Sequence, residues 1–401
     1  MKKIFKELAA AQIMALLITG CASAVPAPVE TAPKDGEQQV TEAATEAETA
    51  EAAVNEAEAE TEAAAEASAD APENEALPYD DPKSLPEYTY TGTEEYLDVI
   101  SKYMIDQDAE LFGEERADVY IPCSLIAETD DTDPENILVY GVFNIDGYDL
   151  LNTTLAAVNG AQNYGIFHLK KNGDSAEVIS AELPLTEEES IDLFAPIPGL
   201  YERVVELENS QGNAARAEAI ASYINTNGLN ITQWQDHGKA PEPVLNAPDT
   251  PEAANFYTFK SDLGYQITYD LREYSHMFTG DEDIYGRIEP DDVWTGTLMS
   301  VEKTDGDDTD AAIASALSDT GAEGLTGTDA VIGDGISCKR AAYDEKLSDG
   351  RIFRYICYAV PAGGSVITVV IETTVEKGIS ELSAEELEKT FEATLQTFTL
   401  L

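Results

Sequence analysis

Between Pro26 and Pro78 the chain contains no aromatic residue, and its composition narrows to little beyond Ala, Glu, Thr and Pro. The run Thr41-Glu42-Ala43-Ala44-Thr45-Glu46-Ala47-Glu48 is typical. A segment with so little apolar surface cannot offset the entropy lost on ordering. Residues 26–90 carry 18 acids against 2 bases. Ala and Glu favour helix, but the like-charged pairs Glu42/Glu46, Glu58/Glu62 and Glu62/Glu66 oppose it. The expectation for 22–90 is a disordered acidic tether with transient helix, on the order of 50 Å end to end and longer with self-repulsion. Cation binding is the alternative reading of the same charges. Any packed core must come from 91–401.

The whole chain holds 78 Asp+Glu against 23 Lys+Arg, a net charge of −55. Such a surface repels phosphate backbones and anionic lipid headgroups, which excludes nucleic acid as a partner and excludes polybasic docking to membranes. Hydrophobic residues still make up 43%, enough for a real core. The four cysteines, Cys21, Cys123, Cys338 and Cys357, form no CxxC pair, and with His168, His237 and His276 they make no zinc-type spacing.

The N-terminus reads as an address. Met1-Lys2-Lys3 and Lys6 precede an apolar stretch from Leu8 to Ile18, too short to span a bilayer comfortably. The stretch ends Ile18-Thr19-Gly20-Cys21. This resembles the lipobox of bacterial lipoproteins. The resemblance implies that 1–21 is a lipoprotein signal, that Cys21 is lipidated and becomes the mature N-terminus, and that the cell membrane is a partner through it. The protein would then be exported and lipid-anchored on the outer face of the cytoplasmic membrane. An ordinary secretory signal cut after Ala22 or Ala24, with Cys21 incidental, is the competing reading.

Residues 91–245 read as one α+β unit. Thr93 can cap a helix with Tyr96, Leu97, Ile100, Tyr103 and Met104 at helical spacing. Strands are expected over 119–126, 137–143, 150–158, 165–170 and 176–183, with a hairpin turn at Asn172-Gly173. A helix over 214–227 closes the unit, with Gly228 as its terminator. A long helix before long antiparallel strands resembles the cystatin/NTF2-like roll, and an uncharacterised extracellular domain of monoderm lipoproteins. The resemblance implies a cup-shaped sheet able to hold a ligand. His168, alternating with Ile166, reads as structural.

Pro241, Pro243, Pro248 and Pro251 mark a junction. Residues 252–401 then read as strands over 256–260, 265–269 and 293–301, a helix capped by Asp308, strands over 336–343, 351–360 and 365–373, and a last helix opened by Ser383-Ala384-Glu385-Glu386. Leu387, Phe391, Leu395 and Phe398 form its stripe. This order resembles the Mog1/PsbP-like α-β-α sandwich, which implies a binding or assembly module. With a turn at Leu347-Ser348, Cys338 and Cys357 would face each other and a disulfide is feasible; two reduced core cysteines are the other reading.

No GxSxG, HExxH, GxxxxGK[ST] or GxGxxG occurs, and no catalytic residue can be named. Ser300-Val301-Glu302-Lys303 has SxxK spacing without its companion motifs. Asp305, Asp307, Asp308 and Asp310 form the densest oxygen cluster; its spacing departs from the EF-hand loop, and a loop with a helix cap is the simpler reading than a Ca²⁺ site. Trp234 and Trp294 are as consistent with core as with a sugar or peptide face. The expected whole is α+β: an antiparallel-sheet roll, then an α-β-α sandwich, behind an acidic tether. Its expected role is non-enzymatic binding of an unknown protein, peptide or glycan, with no cofactor. The alternative is an extracellular hydrolase using the concave face of the 91–245 roll.

Overall fold

The computed structural model describes residues 85–107, 117–173, 175–278, 281–288, 297–322, 324–346, 352–375 and 384–401. The lipobox with Cys21, nearly all of the acidic tract, Trp294, Ser383 and the Leu347-Ser348 turn lie outside them. The described residues belong to one compact unit. They form a mixed α+β structure dominated by sheets, and none of their helices is long and apolar enough to cross a membrane.

The first sheet is organised by one long hairpin. β3 (Ile137–Leu151) and β4 (Thr154–Asn172) pair along their whole length across a two-residue turn, in which Asn152 has φ 56°. The expected separate strands over 137–143, 150–158 and 165–170 are therefore parts of one ribbon. β1 (Val119–Pro122) and β2 (Leu125–Asp130) lie end to end on the outer side of β3, and β5 (Ser175–Glu182) lies on β4. The break at Cys123-Ser124 splits the strand expected over 119–126. Gly141 and Gly165 face each other in the ribbon. A Cβ at Gly141 would meet the Leu125 carbonyl oxygen at 2.2 Å, and one at Gly165 the Glu182 carbonyl oxygen at 2.4 Å, so only glycine fits where the flanking strands bend over.

Alternation sorts the ribbon's side chains onto two covered faces. Val139, Phe143 and Ile145 pack with Phe167 and Leu169 against α1 (Leu97–Asp106) through Leu97, Ile100 and Met104. Tyr140, Val142 and Ile166 pack against Phe194 of α2 (Glu187–Phe194) and Leu200 and Val204 of α3 (Leu200–Asn227). The cup implied by the roll resemblance is thus filled by helices. Tyr96, in the left-handed region at φ 73°, and not Thr93, precedes α1. The 28 residues of α3 extend far upstream of the expected 214–227, because Leu200 and Val204 supply a further buried turn. Its end is as expected: Gly228 takes φ 61°, and the Leu229 N–H returns to the Ile224 carbonyl at 3.0 Å. The proline-marked junction is partly structured. β6 (Gln233–Gln235) runs parallel to β4, β7 (Glu242–Pro243) pairs with β6, and Val244 is buried.

The second half layers a helix, a seven-stranded sheet, and a smaller sheet with another helix. β8 (Phe256–Ser261), β9 (Tyr265–Asp270) and β17 (Thr399–Leu400) make the small sheet. The large antiparallel one runs in the order β10 (Tyr274–Phe278), β11 (Glu282–Arg287), β12 (Leu298–Asp305), β16 (Ser365–Val375), β15 (Ile352–Pro361), β14 (Ile336–Lys346), β13 (Thr328–Ile332). One face of it packs Ala341, Ala359, Val366 and Val370 on Ile313 and Leu317 at α4 (Thr309–Ala316). The other packs Met299, Val301, Ile356 and Val369 on Tyr265 and Ile267 of the small sheet and on Phe391 and Leu395 of α5 (Ala384–Leu395). Phe398 stacks on Tyr265 with ring centroids 5.1 Å apart.

The cysteine register differs from the expected one. Cys357 faces Ala341, three residues along the strand from Cys338. An odd offset places the two side chains on opposite faces: Cys338 lies in the core shared with the small sheet, Cys357 in the core under α4. Both are free, which corrects the bridge drawn from the earlier register. Burial pushes the Cys357 thiol up to about 12. Thiol titration of the unreduced protein in denaturant is therefore expected to find Cys123, Cys338 and Cys357 all reactive, three thiols besides Cys21. A count of one would restore the bridge.

Candidate functional site

A cleft of about 480 Å³ opens between the first sheet and the second half. Two polar anchors set its width. Asn152, at the tip of the β3–β4 ribbon, donates through Nδ2 to the carbonyls of Ala254 (3.1 Å) and Phe256 (2.9 Å). Gln235 Nε2 donates to the Leu271 carbonyl at 2.8 Å, away from solvent, where a lost hydrogen bond is most costly.

One wall comes from the ribbon. Asp149 and Leu151 line it, on the side of β3 that carries Phe143 and Ile145 lower down. Opposite them β4 has a bulge: Gly147 faces Asn159 and Tyr148 faces Ala157, so Val158 has no partner in the ladder. The freed Val158 backbone hydrogen-bonds the ring of His237, which follows β6. Burial lowers the His237 pKa, against the pull of Asp236, so the ring is neutral at pH 7. Its Nε2 is buried and has no hydrogen-bond partner. Asp149 Oδ1 accepts from the Asp118 N–H at 3.0 Å, and its second oxygen has no hydrogen bond among the described residues. Burial raises the Asp149 pKa, with Asp118 N–H and His276 opposing.

The facing wall is built on Asp283, a fully buried carboxylate. Its Oδ2 accepts from Ser261 Oγ and Tyr265 Oη, each at 2.6 Å, and its Oδ1 pairs with His276 Nε2 at 3.1 Å. Tyr265 Oη in turn meets Tyr285 Oη at 2.9 Å. Burial alone would raise the Asp283 pKa; the hydrogen bonds from His276, Ser261 and Tyr265 outweigh it and hold the carboxyl below its usual value. The His276 ring lies 4.1 Å from the Phe259 ring and 4.8 Å from that of Tyr285, centroid to centroid. Ser, His and Asp are thus together, but not as a relay. Ser261 and His276 both address the same carboxylate, so the imidazole is not placed to take the serine proton.

Behind the His237 wall lies a second polar cluster, between α3 and β3. Arg216 reaches Asp146 through Nε and Asp236 through Nη1, each at 3.0 Å. Cys123 Sγ donates to Asp146 Oδ2 at 3.6 Å, and Asn144 Nδ2 to Glu208 Oε1 at 3.3 Å. Burial raises the Cys123 thiol well above its usual value, leaving it a protonated donor.

The residues singled out from sequence lie elsewhere. His168, on β4, bridges Asn136 Oδ1 (3.0 Å) just before β3 and Glu182 Oε1 (2.8 Å) at the end of β5. In the aspartate cluster, Asp308 caps α4, accepting from the N–H groups of Asp310 (3.1 Å) and Ala311 (3.0 Å), and Asp310 Oδ1 accepts from the Gly327 N–H at 2.8 Å. Asp305 ends β12 opposite Ser365. Among the described residues no three His, Cys, Asp or Glu side chains are grouped to hold a metal. Ser300 sits inside β12 opposite Val370, and Trp234 is core. Sequence reasoning named none of Asp149, His237, His276 or Asp283 as a site residue.

No family model matches the chain, and no curated protein does. Among solved structures, it is similar to a protein from Bacteroides thetaiotaomicron at 16% identity, covering 36% of this chain with a TM-score of 0.25; the match spans 48% of that structure, about half its length. The Saccharomyces cerevisiae Ran-binding protein Mog1p matches at 8% identity over 36% of this chain and 95% of its own, with a TM-score of 0.29. PsbP from the cyanobacterium Synechocystis matches at 13% identity over 39% and 99%, with a TM-score of 0.22. These include the two proteins that residues 252–401 were expected to resemble.

The Asp283 network yields a sign for pH dependence. A depressed folded pKa adds stability that is complete above the unfolded value of about 3.9 and is lost as pH falls through the folded one. Asp283→Asn is expected to cost about 2–4 kcal/mol at pH 7, the scale of losing hydrogen bonds to a buried charge. Urea melts should show the gap to wild type narrowing below pH 4. A gap that stays constant into strong acid would mean that the carboxylate is not held ionised.

Proposed function

We propose that this chain is a lipid-anchored, exported binding protein whose cleft takes a small ligand. The observation that carries the binding reading is the cleft itself. Its volume lies in the range of about 300–1,000 Å³ used by small-molecule sites. Its walls are mixed, with Leu151, Tyr257, Phe259 and Met277 beside Asp149, His237 and His276. Binding is favoured over hydrolysis by the wiring. Asp283 accepts from three donors, and Ser261 donates its hydroxyl hydrogen bond to that carboxylate with no imidazole placed to take its proton. The ion-paired cluster of Arg216, Asp146 and Asp236 argues likewise against the hydrolase reading of the roll.

The anchoring reading rests on Ile18-Thr19-Gly20-Cys21 and on the acidic stretch behind it. A single acyl chain holds marginally and two or more hold firmly, so lipidated Cys21 would secure the protein while the acidic tract sets its distance from the bilayer.

Two measurements test these readings separately. Cells fed labelled palmitate should incorporate label into wild type and not into Cys21→Ala; an unlabelled wild type defeats the anchor. A fragment screen by NMR should give hits that shift resonances of cleft residues such as Phe259 and Met277 and are lost in Phe259→Ala. Hits that never perturb those residues defeat the ligand site.

A further inference from the structure

The cleft's hydrogen-bonding balance is one-sided. His237 carries a buried Nε2 with no hydrogen-bond partner, and Asp149, which is partly buried, uses only Oδ1 among the described residues. Both are acceptors: a carboxylate has no proton to give, and a neutral imidazole that donates through one nitrogen can only accept through the other. The other acids of the lining do not change this balance. Asp236 is compensated by Arg216 at 3.0 Å, and Asp283 is saturated by Ser261, Tyr265 and His276. Lys260 and Asp262 are exposed at the rim and oppose each other in sign. A buried acceptor without a partner is costly, as His237 Nε2 is, and the second oxygen of the partly buried Asp149 is an acceptor still open to a donor, so an occupant that brings donors is favoured over one that brings acceptors. Beside them, the Phe259 face and the side chains of Tyr257 and Met277 offer an apolar floor, and aromatic faces attract cations.

We propose that the cleft binds a protonated amine carried on a flat apolar body, with the ammonium on Asp149, its second donor on His237 and the body against Phe259. This rests on reading the cleft as a ligand site and adds the chemical class of the ligand. An ammonium supplies three donors and a positive charge at once, whereas an alcohol supplies one donor and a carboxylate none. The net charge of −55 acts in the same direction at long range, concentrating cations near the surface.

The test uses the full chain and three probes of one shape: tryptamine, its alcohol analogue tryptophol, and indole-3-acetate. Calorimetric titration at low salt is expected to show tryptamine binding at least ten-fold tighter than tryptophol, with no detectable binding of indole-3-acetate. Asp149→Asn keeps the oxygen that accepts from the Asp118 N–H, so it preserves the fold. It should weaken tryptamine at least ten-fold and leave tryptophol unchanged. His237→Phe should weaken tryptamine several-fold. Equal affinity for the amine and the alcohol overturns the proposal, as does tryptamine binding indifferent to Asp149→Asn, or failure of all three probes to bind. None of these outcomes bears on whether the cleft is a ligand site, which the fragment screen decides independently.

Discussion

A carboxylate with no access to solvent sits where four strands meet. Asp283 belongs to β11, between the edge strand β10 and β12 of the large sheet; its partners Ser261 and Tyr265 belong to the small sheet, and His276 to β10. Apolar packing between the two sheets supplies more free energy in total, at about 25 cal/mol per Å² buried. That packing is non-directional and would tolerate a slip. Three hydrogen bonds converging on one ion do not, because a slipped register would strand a buried charge. Asp283 therefore fixes the position of β8 against β10, and with it the Phe259–His276 pair that forms one side of the cleft.

The other side depends on a different device. The bulge at Val158 turns a backbone group out of the ladder and toward His237, while Arg216 neutralises Asp236 from behind. Together they leave a neutral imidazole and a partly buried Asp149 on the ribbon side, facing aromatic rings on the other. The chemistry of the cleft is thus divided: the second half contributes a floor whose polar groups are satisfied, and the ribbon contributes acceptors that are not.

Much of the architecture was legible in the sequence because it follows from periodicity and turn chemistry. Asp308 caps its helix, Gly228 ends α3 at φ 61°, and the strands over 336–375 lie close to their expected places. Helix α2 was missed although Thr186-Glu187-Glu188-Glu189 has capping-box spacing and Thr186 Oγ1 accepts from the Glu189 N–H at 3.3 Å. The hairpin tip at Asn152 was hidden inside an apolar run without glycine; only an asparagine at positive φ marks it. The site residues were illegible for a different reason. Asp149 and Asp283 are two acids among 78, and nothing local separates a buried hub from a solvated face. His276 acquires meaning only through strand pairing that brings Asp283 to it. The cysteine register failed by parity: a shift of three residues in strand pairing exchanges one face of the sheet for the other.

The β3–β4 ribbon acts as a gauge. Its 15-residue strand β3 fixes how far Asn152 stands from the helix-covered end, and each residue contributes about 3.3 Å. Deleting one residue within the ribbon would carry Asn152 past the reach of both carbonyls it binds and reverse the faces beyond the cut. Length changes in the loops at the opposite end, around 131–136 and Gly173, would leave that distance untouched. Divergent forms of this chain are therefore expected to vary freely at the distal loops while keeping the ribbon's residue count constant.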